Sequence, residues 1–135
     1  MTNSSIPTNC LVVVATGAEA KLYRNIGDSN GIRLREESIL NPKNLRSEGP
    51  SGSYVPDSSA RETDEATFSK QLAHHLYKLA IDDEFDSLVL TADPDSLGEM
   101  RPLLHKEVTD RIVLEMGKTL TNSSIKDIER TIQNN

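Results

Sequence analysis

The residues that could do chemistry are few, and their spacing does not converge on one reaction. His74 and His75 are adjacent in a segment of helical period, so their side chains diverge by about 100° and cannot grip one metal as an i, i+4 pair does. His75 falls on the apolar stripe of that segment and reads as a partly buried structural histidine, while His74 reads as exposed. His105 stands near the expected end of a second helix, where an imidazole meets the last carbonyls favourably. The acidic stretch Asp82-Asp83-Glu84 and Asp86 lacks the spacing and the glycine of a calcium loop and reads as a solvated helix end. Asp93 and Asp95 follow a strand at its carboxyl end, where open α/β sheets bind ligands, but capping of the next helix explains both. Gly49-Pro50-Ser51-Gly52-Ser53 is neither a phosphate loop nor a nucleophile elbow. Cys10, the only cysteine, reads as a small buried hydrophobe and excludes an internal disulfide. A hydrolase built from His105 or His75 with Asp93 is the weakest of three functional classes, and no cofactor or metal is expected.

The elements that would position these groups follow from apolar periodicity. Cys10 to Ala15 is a β-branched run of the kind that forms a central strand covered on both faces. Glu19 to Ile26 alternates as a half-buried strand, with Ala20, Leu22 and Arg24 on one face. Ile32 to Leu40 returns after the turn-rich Gly27-Asp28-Ser29-Asn30-Gly31, which completes a three-strand antiparallel meander. Residues 41–62 hold three prolines, two glycines and five serines without a period, and read as a long loop that is either functional or disordered. Thr63 is the expected N-cap of a long helix whose stripe is Phe68, Leu72, Leu76 and Leu79. Asp86 to Ala92 is a parallel-type strand. A helix with Leu97, Met100, Leu103 and Leu104, irregular at Pro102, follows it. Arg111 to Met116 is the last strand, and Ser123 or Ser124 caps a terminal helix that buries Ile125, Ile128 and Ile132. The order β-β-β-α-β-α-β-α implies one α/β domain over residues 10–135 behind a disordered tail at 1–9, with later strands joined by helical crossovers.

Composition narrows the partners. A chain of 135 residues with 36% hydrophobic and 27% charged residues fits one ordinary domain. Its longest apolar run is far short of the roughly 20 residues of a membrane-spanning helix, and no secretory signal is legible, so no membrane insertion and a cytoplasmic location are expected. The net charge of −6 is uneven: residues 1–61 carry seven basic and six acidic side chains, residues 62–135 eight and fifteen. Only the first half could face a polyanion.

Taken together, LVVVATGAEAKLYRN, FSKQLAHHLYKLAIDDEFDSLVLTADPDSLGEMRPLL and VLEMGKTLTNSSIKDIERTI resemble the bacterial host-attachment protein family. That family is similar to the central domain of archaeal and eukaryotic class I peptide chain release factors. The resemblance implies a single-domain ribonuclease H-like mixed sheet of order 3-2-1-4-5. In release factors the loop before the long helix carries the Gly-Gly-Gln that enters the peptidyl transferase centre. Here the corresponding loop, 41–62, contains no Gly-Gly-Gln, so peptidyl-tRNA hydrolysis does not carry over. The expectation is a non-catalytic accessory factor that binds the ribosome or another structured RNA through the meander and the loop. Arg33, Arg35, Lys43, Arg46 and Arg61 are the expected phosphate contacts, with Gly49, Ser51 and Gly52 at the loop tip. The alternative is a cytoplasmic protein–protein interaction domain linked to host attachment, which docks a partner by its loop or by adding a strand.

Overall fold

The computed structural model describes residues 6–28, 31–42, 45 and 61–134, with 61–67 described by their backbone alone. Strand β1 (Leu11–Ala15) is buried at every position, because its β-branched run faces apolar partners on both sides. Leu11, Val13 and Ala15 enter one core with Phe68, Leu72, Leu76 and Leu90, while Val12 and Val14 enter a second with Tyr23, Val89, Ile128 and Ile132.

Strand β2 (Ala20–Asn25) pairs antiparallel with β1, and β3 (Leu34–Leu40) pairs antiparallel with β2, so the meander read from the sequence is present. The first turn is closed by Thr16, whose hydroxyl accepts the N–H groups of Ala18 and Glu19 at 3.1 and 3.2 Å. The second requires glycine at 27, where a β-carbon would come within 2.1 Å of the Gly31 carbonyl oxygen. Strand β2 is not half-buried as its alternation suggested: Ala20 and Leu22 enter the first core and Tyr23 the second, because β2 lies inside the sheet. Strand β3 starts later than expected, and Ile32 instead packs against the second core.

Helix α1 (Arg61–Ile81) begins two residues before its expected cap. Phe68, Leu72, Leu76 and Ala80 are buried along it, and Leu79 is only partly buried at the edge of that stripe. Leu45 is the one residue beyond Pro42 in the expected loop whose side chain is described, and it is buried in the same core. Strand β4 (Leu88–Ala92) runs parallel to β1 and is wholly buried. Helix α2 (Pro94–Met100) then ends early. Pro102 brings no N–H and disfavours helical geometry before it, so the chain passes through one 3-10 turn, Arg101–Leu103, into the short α3 (Lys106–Thr109). His105 is therefore the N-cap of α3 and not the end of the preceding helix, a correction to the sequence reading.

Strand β5 (Ile112–Gly117) is parallel to β4, which completes one five-stranded sheet of order β3-β2-β1-β4-β5, the order the resemblance implied. Helix α4 (Ile125–Gln133) is capped by Ser124, whose hydroxyl accepts the Asp127 N–H at 3.1 Å. It buries Ile128 and Ile132, whereas Ile125, expected inside, is exposed at its first position. Glu129 accepts the Leu34 N–H at 2.7 Å and fastens α4 to the start of β3. Ile6 to Asn9, expected in a disordered tail, are tied down: Asn25 donates to the carbonyls of Ile6 and Pro7, and Thr8 donates to Gly27.

Both edge strands carry a bulge. Glu37 is the extra residue of β3 between Glu36, opposite Tyr23, and Ser38, opposite Leu22. Val113 is the extra residue of β5 between Ile112 and Leu114, and it is 50% exposed. Truncating a core ring and an edge residue should separate the two environments in urea titrations. Phe68→Ala is expected to cost about 3–5 kcal/mol, and Val113→Thr to stay within about 0.5 kcal/mol of the parent.

Candidate functional site

Of the expected phosphate contacts, Arg33 and Arg35 are described. Lys43, Arg46 and the loop-tip residues Gly49, Ser51 and Gly52 lie outside the described residues, and Arg61 opens α1 with its side chain outside them. Arg33 precedes β3, held by its backbone: its N–H goes to Asn25 Oδ1 at 2.9 Å and its carbonyl accepts from Ile26. Its side chain is exposed and has no ion-pair partner among the described residues. Arg35 lies directly opposite Arg24 on β2, and the bulge turns Glu37 between them.

Glu37 is the hinge of the local electrostatics. Arg24 grips it with two bonds, Nε to Oε2 at 3.3 Å and Nη2 to Oε1 at 3.1 Å, and Arg35 Nη2 reaches Oε2 at 3.2 Å. Burial alone would raise the Glu37 pKa, but the hydrogen bonds and charges of Arg24 and then Arg35 outweigh it and hold the carboxyl below the usual glutamate range. Arg24 Nη1 also donates to the carbonyls of Asn9 at 3.1 Å and Glu84 at 2.9 Å. One guanidinium thus fastens the N-terminal segment, β2, β3 and the turn before β4. The sequence reading placed Arg24 on a strand face without a role; its partners are 13, 15 and 60 residues away in sequence, so no local spacing signals them.

Around this clasp lies a groove of about 420 Å³ at the amino ends of β1 and β4. Arg24 and Arg35 line it against Glu37, Asp83, Glu84 and Asp86, so the basic character expected of this end of the meander is offset by carboxylates from a distant turn. At the opposite end, Thr16, Asp93, Asp95, Ser96 and Glu99 line a second groove of about 320 Å³. Asp93 there accepts the Ser96 N–H at 3.1 Å, which is the capping role its position suggested. No group of His, Cys, Asp and Glu able to hold a metal occurs among the described residues. A third groove, of about 280 Å³, is lined by α1 and the segment after α2 and includes His74, Tyr77 and His105. Asp93 and His105 thus line different grooves, and the arrangement offers no shared cleft for acid–base work between them.

A family model described as bacterial archaeo-eukaryotic release factor family 12 matches residues 9–132. The chain belongs to that family. The match supports the release-factor side of the resemblance read from the sequence and does not carry the host-attachment label. Among curated proteins no match was found. Several surface cations are taken up by carboxylates. Arg101 pairs with Glu115, Lys106 with Asp110, Arg130 with Asp127, and Arg111 with both Asp83 and Glu107. No helix among the described residues is long and apolar enough to cross a membrane.

Cys10 is fully buried, and burial raises its thiol pKa despite hydrogen bonding from Ser87 and the charge of Arg24. It should resist thiol-specific labelling in the native protein at mildly alkaline pH and react completely in denaturant. The Arg24 clasp makes two further expectations. Arg24→Ala should cost about 2–3 kcal/mol in urea unfolding, through loss of charge-assisted hydrogen bonds. A glutamate held low by its partners stabilises the fold fully above its unfolded pKa of about 4.3, and that contribution is lost as pH falls through the lower folded value. The stability gap between the parent and Glu37→Gln should therefore shrink as pH is lowered below about 4, which acid-range urea titrations measure.

Proposed function

We propose that this family member is a non-catalytic accessory factor of translation, acting in the cytoplasm and binding the ribosome or another structured RNA. The observation that carries the reading is the family match over residues 9–132 in a chain with no Gly-Gly-Gln anywhere in its sequence. A release-factor scaffold without the tripeptide keeps a shape suited to an RNA machine and lacks the glutamine that the hydrolytic role depends on. Phosphate contact falls to Arg33, Arg35, Lys43, Arg46 and Arg61, with Gly49, Ser51 and Gly52 at the tip of the intervening segment. Arg33 is the strongest of these, since its guanidinium is exposed and no described carboxylate takes it up. Arg35 must share its charge with Glu37.

A cytoplasmic protein–protein interaction domain linked to host attachment is the second reading. It draws on Ile39 and Val113, exposed apolar residues on the two edge strands. The bulge on each edge works against it as a strand-addition surface, because a bulge twists an edge away from further pairing.

Sucrose-gradient sedimentation of lysate with immunoblotting distinguishes the two. Under the first reading the protein travels with ribosomal particles at low salt, less so at moderate salt, and the triple variant Arg33→Glu, Arg35→Glu, Arg46→Glu stays at the top. A protein that remains at the top at both salts overturns it, and a partner held equally by the parent and the triple variant supports the second. Purified protein added to peptidyl-tRNA-loaded ribosomes should release no peptide.

A further inference from the structure

The third groove differs from the others in charge and in chemistry. Lys70, Ala73, His74 and Tyr77 contribute one face of α1, and Leu103 and His105 form the opposite wall. No carboxylate lines it among the described residues, whereas the grooves at either end of the central strands each have at least one. Lys70 is exposed, without an ion-pair partner among the described residues, and lies two helical turns from Tyr77. The acid nearest to His105 in sequence, Glu107, has its carboxylate 3.6 Å from Arg111.

The aromatic wall is held in place before any ligand arrives. The rings of Tyr77 and His105 lie 4.3 Å apart at 45°, and His74 lies 6.5 Å from Tyr77. His105 Nδ1 accepts the Glu107 N–H at 3.0 Å, which fixes the ring and requires the neutral tautomer to carry its proton on Nε2. That Nε2–H makes no hydrogen bond among the described residues, so a donor, a π-face and an uncommitted ammonium share a groove also lined by Leu103 and Ala73.

We infer that this groove binds an unpaired nucleotide of RNA, with the base stacked on Tyr77, His105 beside it as a hydrogen-bond donor, and the adjoining phosphate on Lys70. Stacking on aromatic side chains with a cation on the backbone is how single-stranded nucleic acid is held without base-specific readout. The volume of about 280 Å³ suits one base and is small for a helix or a folded partner. The inference rests on the RNA-binding reading above and adds a contact surface on α1, separate from Arg33 and Arg35.

The test is fluorescence anisotropy with a short fluorescein-labelled single-stranded RNA of mixed sequence, run beside the ribosome gradient. Tyr77→Ala should weaken binding by about five- to a hundredfold and Tyr77→Phe by less than about twofold. Lys70→Glu, an exposed change that leaves the core intact, should weaken binding and lower the salt dependence by about one phosphate contact. Circular dichroism confirms that each variant is folded. Failure of the parent to bind the RNA at micromolar protein overturns the inference. Equal binding by parent, Tyr77→Ala and Lys70→Glu also overturns it, and ribosome comigration that persists in those variants then leaves the translation reading standing. Groove-dependent RNA binding by a protein that stays at the top of the gradient supports the nucleotide site and overturns the ribosomal setting.

Discussion

Strand β1 is apolar on both faces, and that constraint organises everything else. Five consecutive residues from Leu11 to Ala15 are fully buried, so neither face of the sheet at its centre can be left to water. Helices must therefore cover both sides. Phe68, Leu72, Leu76 and Ala80 of α1 close one face, and Ile128 and Ile132 of α4 close the other. The same requirement places β4, equally buried, against β1 in parallel, and parallel pairing demands a helical crossover between them. The order β3-β2-β1-β4-β5 is the arrangement in which the two most apolar strands lie at or beside the centre and the charged β3 lies at an edge.

Polar groups occupy the ends and edges of this sandwich, and most are engaged in holding it together. Asp93, His105 and Ser124 each satisfy an orphan N–H at the start of a helix. Arg24 and Glu37 join four chain segments at the amino ends of the central strands. Asp93 and His105, which could have read as catalytic, thus each cap a helix. Arg33 at the meander and Lys70 on α1 are exposed cations without an ion-pair partner among the described residues. A net charge of −6 is poorly suited to indiscriminate electrostatic binding of a polyanion.

The sequence was most informative where burial imposes a period. The run at Leu11 to Ala15, the alternation after Thr16 and the stripe of α1 each forced one element type, and their order limited the topology. It was least informative where two elements meet. The alternation of β2 suggested a wet face that Tyr23 does not have, because only the packing of α4 decides what covers it. Pro102 marked an irregularity, yet whether the helix would kink or stop depended on the turn the chain had to make towards β5. His105 changed from a helix end to a helix start for that reason.

By itself the sequence determined an α/β chain built around one doubly buried strand, a release-factor-like pattern spread over most of its length, and the lack of a Gly-Gly-Gln. These are properties of residue type and order, which survive without coordinates. Tertiary structure alone decided the electrostatics. Arg24, Glu37 and the Glu84 carbonyl meet only after the sheet has formed, and Tyr77 meets His105 only because α2 stops short and α3 turns back towards α1. Charge pairing and ring stacking act over a few ångströms between residues far apart in the chain, so their outcome is fixed by packing and not by spacing.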